Sequence, residues 1–140
     1  MFSPTREQVR DFFFDAWKKF RAQQPLTALE AMAVDVVTEH AEYHALLDQR
    51  DKYVDRDYLP ENGDINPFLH MSMHLSIREQ VSIDQPAGVR GHHLRLSMSL
   101  GSQMEAEHAM MDCLGEMIWH AQKHRTAPSP EIYLSCLAGK

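Results

Sequence analysis

Three dipeptides, Ser3-Pro4, Asn66-Pro67 and Ser129-Pro130, set the frame into which this chain can fold. In each, a short polar side chain that can accept from an orphan amide precedes a proline. Proline's missing N–H costs nothing in the first turn of a helix. A fourth start is marked by Ser102-x-x-Glu105, which has the form of a capping box. Between these starts, apolar residues recur at helical spacing and no alternating stretches pair as strands. The reading is all-α: a compact single-domain helical bundle over residues 1–140, with about five to six helices and one long charged connector.

The periodicity fills in that frame. A first helix from Pro4 to Ala22 carries Val9, Phe13, Ala16, Trp17 and Phe20 on one stripe. A second, from Leu26 to Leu47, buries Leu29, Met32, Ala33, Val36, Val37, Tyr43 and Leu47. Residues Asp48 to Ile65 form the connector, ending in the turn signal Pro60-Glu61-Asn62-Gly63, with Tyr53, Val54, Tyr58 and Leu59 expected to pin it down. A third helix runs from Asn66-Pro67 to Ser82, where Asp84-Gln85-Pro86-Ala87-Gly88 breaks it. A shorter helix from Val89 to Leu100, a long one from Gln103 to His124 and a last one from Pro130 to Leu137 complete the bundle.

Composition excludes some functions. Hydrophobic residues make up 44% of 140, enough for a real core, and the net charge of −6 gives no attraction for phosphate backbones. Nucleic acid is therefore not expected as a partner. The N-terminus lacks a basic start followed by an apolar stretch, and no run is long enough for a membrane span, so a cytoplasmic, soluble chain is expected. Cys113 and Cys136 form no short metal motif and read as free thiols in a reducing compartment. Cys113, on the polar side of its helix near His120, has nothing in sequence that stabilises a thiolate. Nine methionines read as adaptable core filler, and a Met-rich face could join two copies as a homodimer.

Chemistry concentrates in the histidines. His40/His44 and His70/His74 are two His-x-x-x-His pairs, each on the apolar side of its expected helix. On a helix, residues four apart are neighbours, so both rings of a pair can reach one ion. His120 and His124 share the spacing but lie on the polar face of a last turn, where they complement the helix dipole. His92 and His93 fall in the short Val89–Leu100 segment, where Gly91 and the serines weaken the helical signal, and receive no role. Glu105-x-x-His108 resembles the Glu-x-x-His of di-metal bundles, yet Glu105 faces away from the apolar stripe and serves as a cap. Its neighbour Glu107 falls inside the apolar arc. A buried carboxylate needs a metal or a cation, and Arg78 on the third helix is the cation at hand.

The stretch from Asn66-Pro67-Phe68-Leu69-His70 through Met73-His74 to Ile77-Arg78-Glu79-Gln80 resembles the bacterial family called domain of unknown function 1841. His40-Ala41-Glu42-Tyr43-His44, Glu107-His108-Ala109-Met110-Met111 with Cys113-Leu114-Gly115-Glu116, and Trp119-His120-Ala121-Gln122 agree with it, so the likeness covers nearly the whole chain. Such proteins typically look like His-Pro-Glu-Tyr-His where Ala41 stands here. With proline, that segment would begin or kink a helix rather than run through one. The resemblance implies a compact bacterial domain and carries over no catalytic residue.

Two functional readings follow. The leading one is a metal-free interaction or scaffold domain with a buried His/Glu/Arg cluster, in which Arg78–Glu107 is a structural ion pair. The alternative is a helical-bundle protein binding zinc, iron or manganese, a metal-dependent hydrolase or oxidoreductase in function. Its ligands would come from His40, His44, His70 and His74, with Glu107 or His108 completing the shell. No Gly-rich phosphate loop or hydrolase elbow is present, and no catalytic residue is assigned.

Overall fold

The computed structural model describes residues 5–59, 61 and 63–140. The Ser3-Pro4 start and two residues of the expected 60–63 turn, Pro60 and Asn62, lie outside them. Among the described residues the structure is all-α, with eight α-helices and short 3-10 turns. Two more helices form than the upper expected number, because one expected helix is split and the connector holds a helical turn. The chain divides into two compact units between Leu75 and Ser76.

The first unit opens with α1 (Arg6–Arg21), whose N-cap is Thr5. The Thr5 hydroxyl accepts from the Gln8 N–H at 3.1 Å, and Gln8 Oε1 accepts from the Thr5 N–H at 2.8 Å. Helix α2 (Ala28–Thr38) starts on an identical device built from Thr27 and Glu30. Two orphan amides are satisfied at each start. Phe13, Phe14, Ala16 and Trp17 of α1 form one core with Ala33, Val34, Val36 and Val37 of α2. Phe20, expected inside, is exposed and stacks on Trp17; Leu29, also expected inside, is exposed too.

The second helix does not run to Leu47. It stops at Thr38, a 3-10 turn spans Ala41–Tyr43, and α3 (His44–Leu47) follows. The Thr38 hydroxyl donates back to the Val34 carbonyl at 2.8 Å, and the Glu39 N–H is shared between the Asp35 and Val37 carbonyls. His40 then leaves helical geometry at φ −122°, ψ 70°. The run Val36-Val37-Thr38 is β-branched throughout, so propensity offers little resistance to the break.

The connector is tied down by arginines that no periodicity rule singled out. Buried Arg10 donates to the Val54 and Arg56 carbonyls at 3.0 and 2.7 Å, and its guanidinium lies 4.7 Å from the Phe68 ring centroid. Arg6 holds Asp57 and the Asp55 and Arg56 carbonyls. Val54 is buried and Tyr53 and Tyr58 pack on the core, whereas Leu59 stays exposed. A single helical turn, α4 (Arg50–Tyr53), forms within this segment. Helix α5 (Pro67–Ile83) starts as its sequence dictates: Asn66 Oδ1 accepts from the Phe68 and Leu69 N–H groups at 3.0 and 3.2 Å.

In the second unit the last turns of α5 lead to α6 (Val89–Leu100), α7 (Gln103–His124) and α8 (Pro130–Ala138). Asp84 Oδ1 bridges the break, accepting from the N–H groups of Gly88 and Arg90. Gly101, at φ 92°, turns α6 into α7, a conformation a side chain would strain. Ser102 caps α7 through the Glu105 N–H. Ser129 precedes α8 without capping it; its hydroxyl donates to Glu131 instead. Ile77, Val89, Leu96, Met110, Leu114, Tyr133 and Leu137 are buried.

The cysteines correct an expectation. Cys113 is fully buried rather than on a polar face, and it is disulfide-bonded to Cys136 across α7 and α8. Their Cα atoms are 5.4 Å apart, a separation a disulfide spans without moving backbone. A sequence separation of 23 residues gives no hint of this, because it depends on how α8 returns to α7. No helix of the described residues is long and apolar enough to cross a membrane.

Candidate metal centre

In the first unit the break after α2 decides what His40 can do. Its Nδ1 lies 2.7 Å from the Val36 carbonyl oxygen, one turn back. A carbonyl only accepts, so Nδ1 carries the proton, and a metal could be met only through Nε2. That Nε2 is buried and has no hydrogen-bond partner. The residue as a whole is 2% exposed. An imidazole fixed by a backbone carbonyl at one nitrogen, with the other nitrogen presented bare, is the usual arrangement of a metal-ligating histidine.

His70 and His74 come from the first two turns of α5, which the Asn66 cap and Pro67 fix in place. Their Nε2 atoms lie 3.2 Å apart. Two ligands on one tetrahedral ion at zinc–imidazole distances are separated by about 3.3 Å. The His40 ring centroid is 5.1 Å from that of His70 and 4.8 Å from that of His74. One ring nitrogen from each of the three lies within 4.8 Å of the others. His74 is fully buried and His70 half-buried. Tyr43 closes one side, its ring stacked at 4° on that of His40, and burial raises the pKa of its phenol so that it stays neutral.

His44 does not join this cluster. Its Nε2 bonds the Val37 carbonyl at 2.8 Å, and its ring packs against Trp17. The i,i+4 argument that paired His40 with His44 needs an unbroken helix, and the backbone between them is a 3-10 turn. His40 and His44 therefore turn to different carbonyls, Val36 and Val37, whereas His70 and His74 keep their pairing.

The other sequence-derived candidates, Glu107, His108 and Arg78, belong to the second unit. Glu107 on α7 is fully buried, and Arg78 Nε reaches its two oxygens at 3.0 and 3.2 Å. His93 Nε2 lies 3.0 Å from Glu107 Oε2. Position 93 had no assigned role, yet it falls one turn from buried Val89 and Leu96 on α6, and that spacing is its only signal in the sequence. His108 sits on α7, its Nδ1 3.7 Å from Glu105 Oε1. His120 and His124 are neighbours near the end of α7, with ring centroids 5.2 Å apart.

Comparison with known families gives a match over nearly the whole chain. The family model described as "Domain of unknown function (DUF1841)" matches residues 5–139. No curated protein and no solved structure matches the chain significantly.

Proposed function

The chain belongs to the DUF1841 family of domains of unknown function, and from that premise we propose that its first unit binds a transition-metal ion through His40, His70 and His74. The observation that carries this reading is the bare, buried Nε2 of His40 beside the other two rings. An unpaired polar atom in a protein interior costs roughly 1–3 kcal/mol, and a metal ion removes that cost by taking the lone pair. The same observation sets the metal-binding reading above the metal-free scaffold that the sequence favoured.

The donor set also narrows the ion. Three neutral imidazoles suit zinc or iron, whereas magnesium and calcium demand oxygen ligands and manganese prefers them. These rings fill three of four tetrahedral positions; where water takes the fourth, the ion has the pattern of catalytic rather than closed structural zinc sites. A water held there would be acidified toward neutrality, which supports metal-dependent hydrolysis before oxidoreduction.

Elemental analysis of untagged protein, purified without chelator or metal-affinity resin, tests the site. About one zinc or iron per chain is expected, lost in His40→Ala and His74→Ala and retained in His44→Ala. Metal well below one per chain, and equal in all four proteins, would overturn the assignment.

A further inference from the structure

The disulfide in the second unit lies against the surface. Cys113 is fully buried in α7, but Cys136 on α8 is half-buried and lines a surface cavity of about 470 Å³. The α7 wall of that cavity comes from Glu116 and His120, which follow Cys113 at helical spacing. The α8 wall comes from Glu131, Ile132, Ser135 and Cys136. One sulfur-bearing residue is thus presented to incoming molecules while the other is withheld.

We propose that the Cys113–Cys136 disulfide is a thiol-exchange site, attacked at Cys136 through this cavity by neutral or cationic thiols. A thiolate RS⁻ attacks the Cys136 sulfur, the RS–S bond forms, and the S–S bond breaks with its electron pair leaving on Cys113. The Cys113 thiolate, in an apolar interior that disfavours charge, takes up the proton that the attacking thiol had released. A second thiolate attacks the bound RS sulfur and releases RS–SR, and Cys136 leaves with the electron pair and is protonated. The balance is one protein disulfide and two thiols giving one protein dithiol and one small disulfide.

Charge selects the thiol. Glu116 and Glu131 both border the cavity, and Glu131 is held ionised by the helix-start amide and the Ser129 hydroxyl, which lower its pKa. Two carboxylates repel an anionic thiolate carrier and attract a cationic one. At low salt, charges about 7 Å apart at the surface are enough to separate the two by about tenfold in rate.

The test uses the intact oxidised protein, incubated at low salt with cysteamine, 2-mercaptoethanol or 2-mercaptoethanesulfonate, quenched with N-ethylmaleimide and weighed by mass spectrometry. Rates are normalised to those of the same thiols on hydroxyethyl disulfide. Expected are two adducts per chain at undiminished helical circular dichroism, with cysteamine about tenfold faster than the sulfonate. Glu116→Gln with Glu131→Gln brings that ratio close to one. In single variants, Cys113→Ser leaves a Cys136 that labels readily, and Cys136→Ser leaves a Cys113 that labels only on unfolding. Reduction no faster than global unfolding would show a closed staple and overturn the proposal. So would rates indifferent to thiol charge, or cysteines that remain thiols in the air-equilibrated protein.

Discussion

Two buried polar clusters among the described residues use histidine in opposite ways. In the second unit, Glu107 meets Arg78 and His93, so an acceptor-only carboxylate is matched by donors at 3.0–3.2 Å. In the first unit, the imidazoles of His40, His70 and His74 face one another. The first arrangement is complete as a piece of protein. The second leaves one buried ring nitrogen, His40 Nε2, without a hydrogen-bond partner among the described residues. Burial and residue type alone do not separate a structural cluster from a binding site, whereas matching donors to acceptors does.

That contrast can be broken at its strongest point. Glu107→Ala should cost about 3–5 kcal/mol in a urea melt, because it strips the carboxylate from a buried guanidinium. A loss below about 1 kcal/mol would mean that Arg78 and His93 are stabilised mainly by other groups, and the cluster would no longer count as a matched set built on Glu107.

The first unit should respond to ligand rather than to truncation alone. Zinc at about 100 times its dissociation constant should raise the stability of the native chain by about 2.7 kcal/mol. His40→Ala and His74→Ala should show no such gain in a thermal melt, and His44→Ala should keep it. A gain of equal size in all variants would place the ion elsewhere.

The smallest effect sharpens the picture of the second unit. The Tyr133 hydroxyl donates to Gln80 Oε1 at 2.7 Å, and burial pushes its pKa up to about 12 from the ordinary value of 10. A folded-state pKa above the unfolded one contributes stability that is complete below pH 10 and is lost as pH rises through 12. Tyr133→Phe should cost about 1 kcal/mol at neutral pH and flatten the alkaline decline between those values. An unchanged alkaline limb would mean that other groups govern it.

Much of this arrangement was legible in residues whose signal is local. Asn66-Pro67 fixed the start of α5, and the spacing of His70 and His74 survived because the helix beneath them is continuous. Ser102 marked α7, whose limits match the expectation. Arg78 and Glu107 could be paired on paper because each fell within an apolar arc. His40 was legible as an inward residue but not in its geometry, since nothing at Thr38 announces a hydroxyl turned back on Val34. The proline that the resemblance places at position 41 pointed to that break, although Ala41 occupies the position here. Arg10 was invisible to any apolar pattern, because what buries it is a set of connector carbonyls far along the chain.

By itself the sequence determined where helices begin, which faces are apolar and which polar groups are carried inward. These follow from caps, proline and a period of 3.6, all of which act within a turn or two. Only the tertiary structure decided which inward groups meet. It gave Glu107 the donors it required, turned His44 to a backbone carbonyl, closed Cys113 onto Cys136 and set His40 beside His70 and His74 with one nitrogen bare. The physical reason is that hydrogen bonds, disulfides and metal ligation act over about 2–3 Å. No spacing along the chain fixes a distance that short between separate helices.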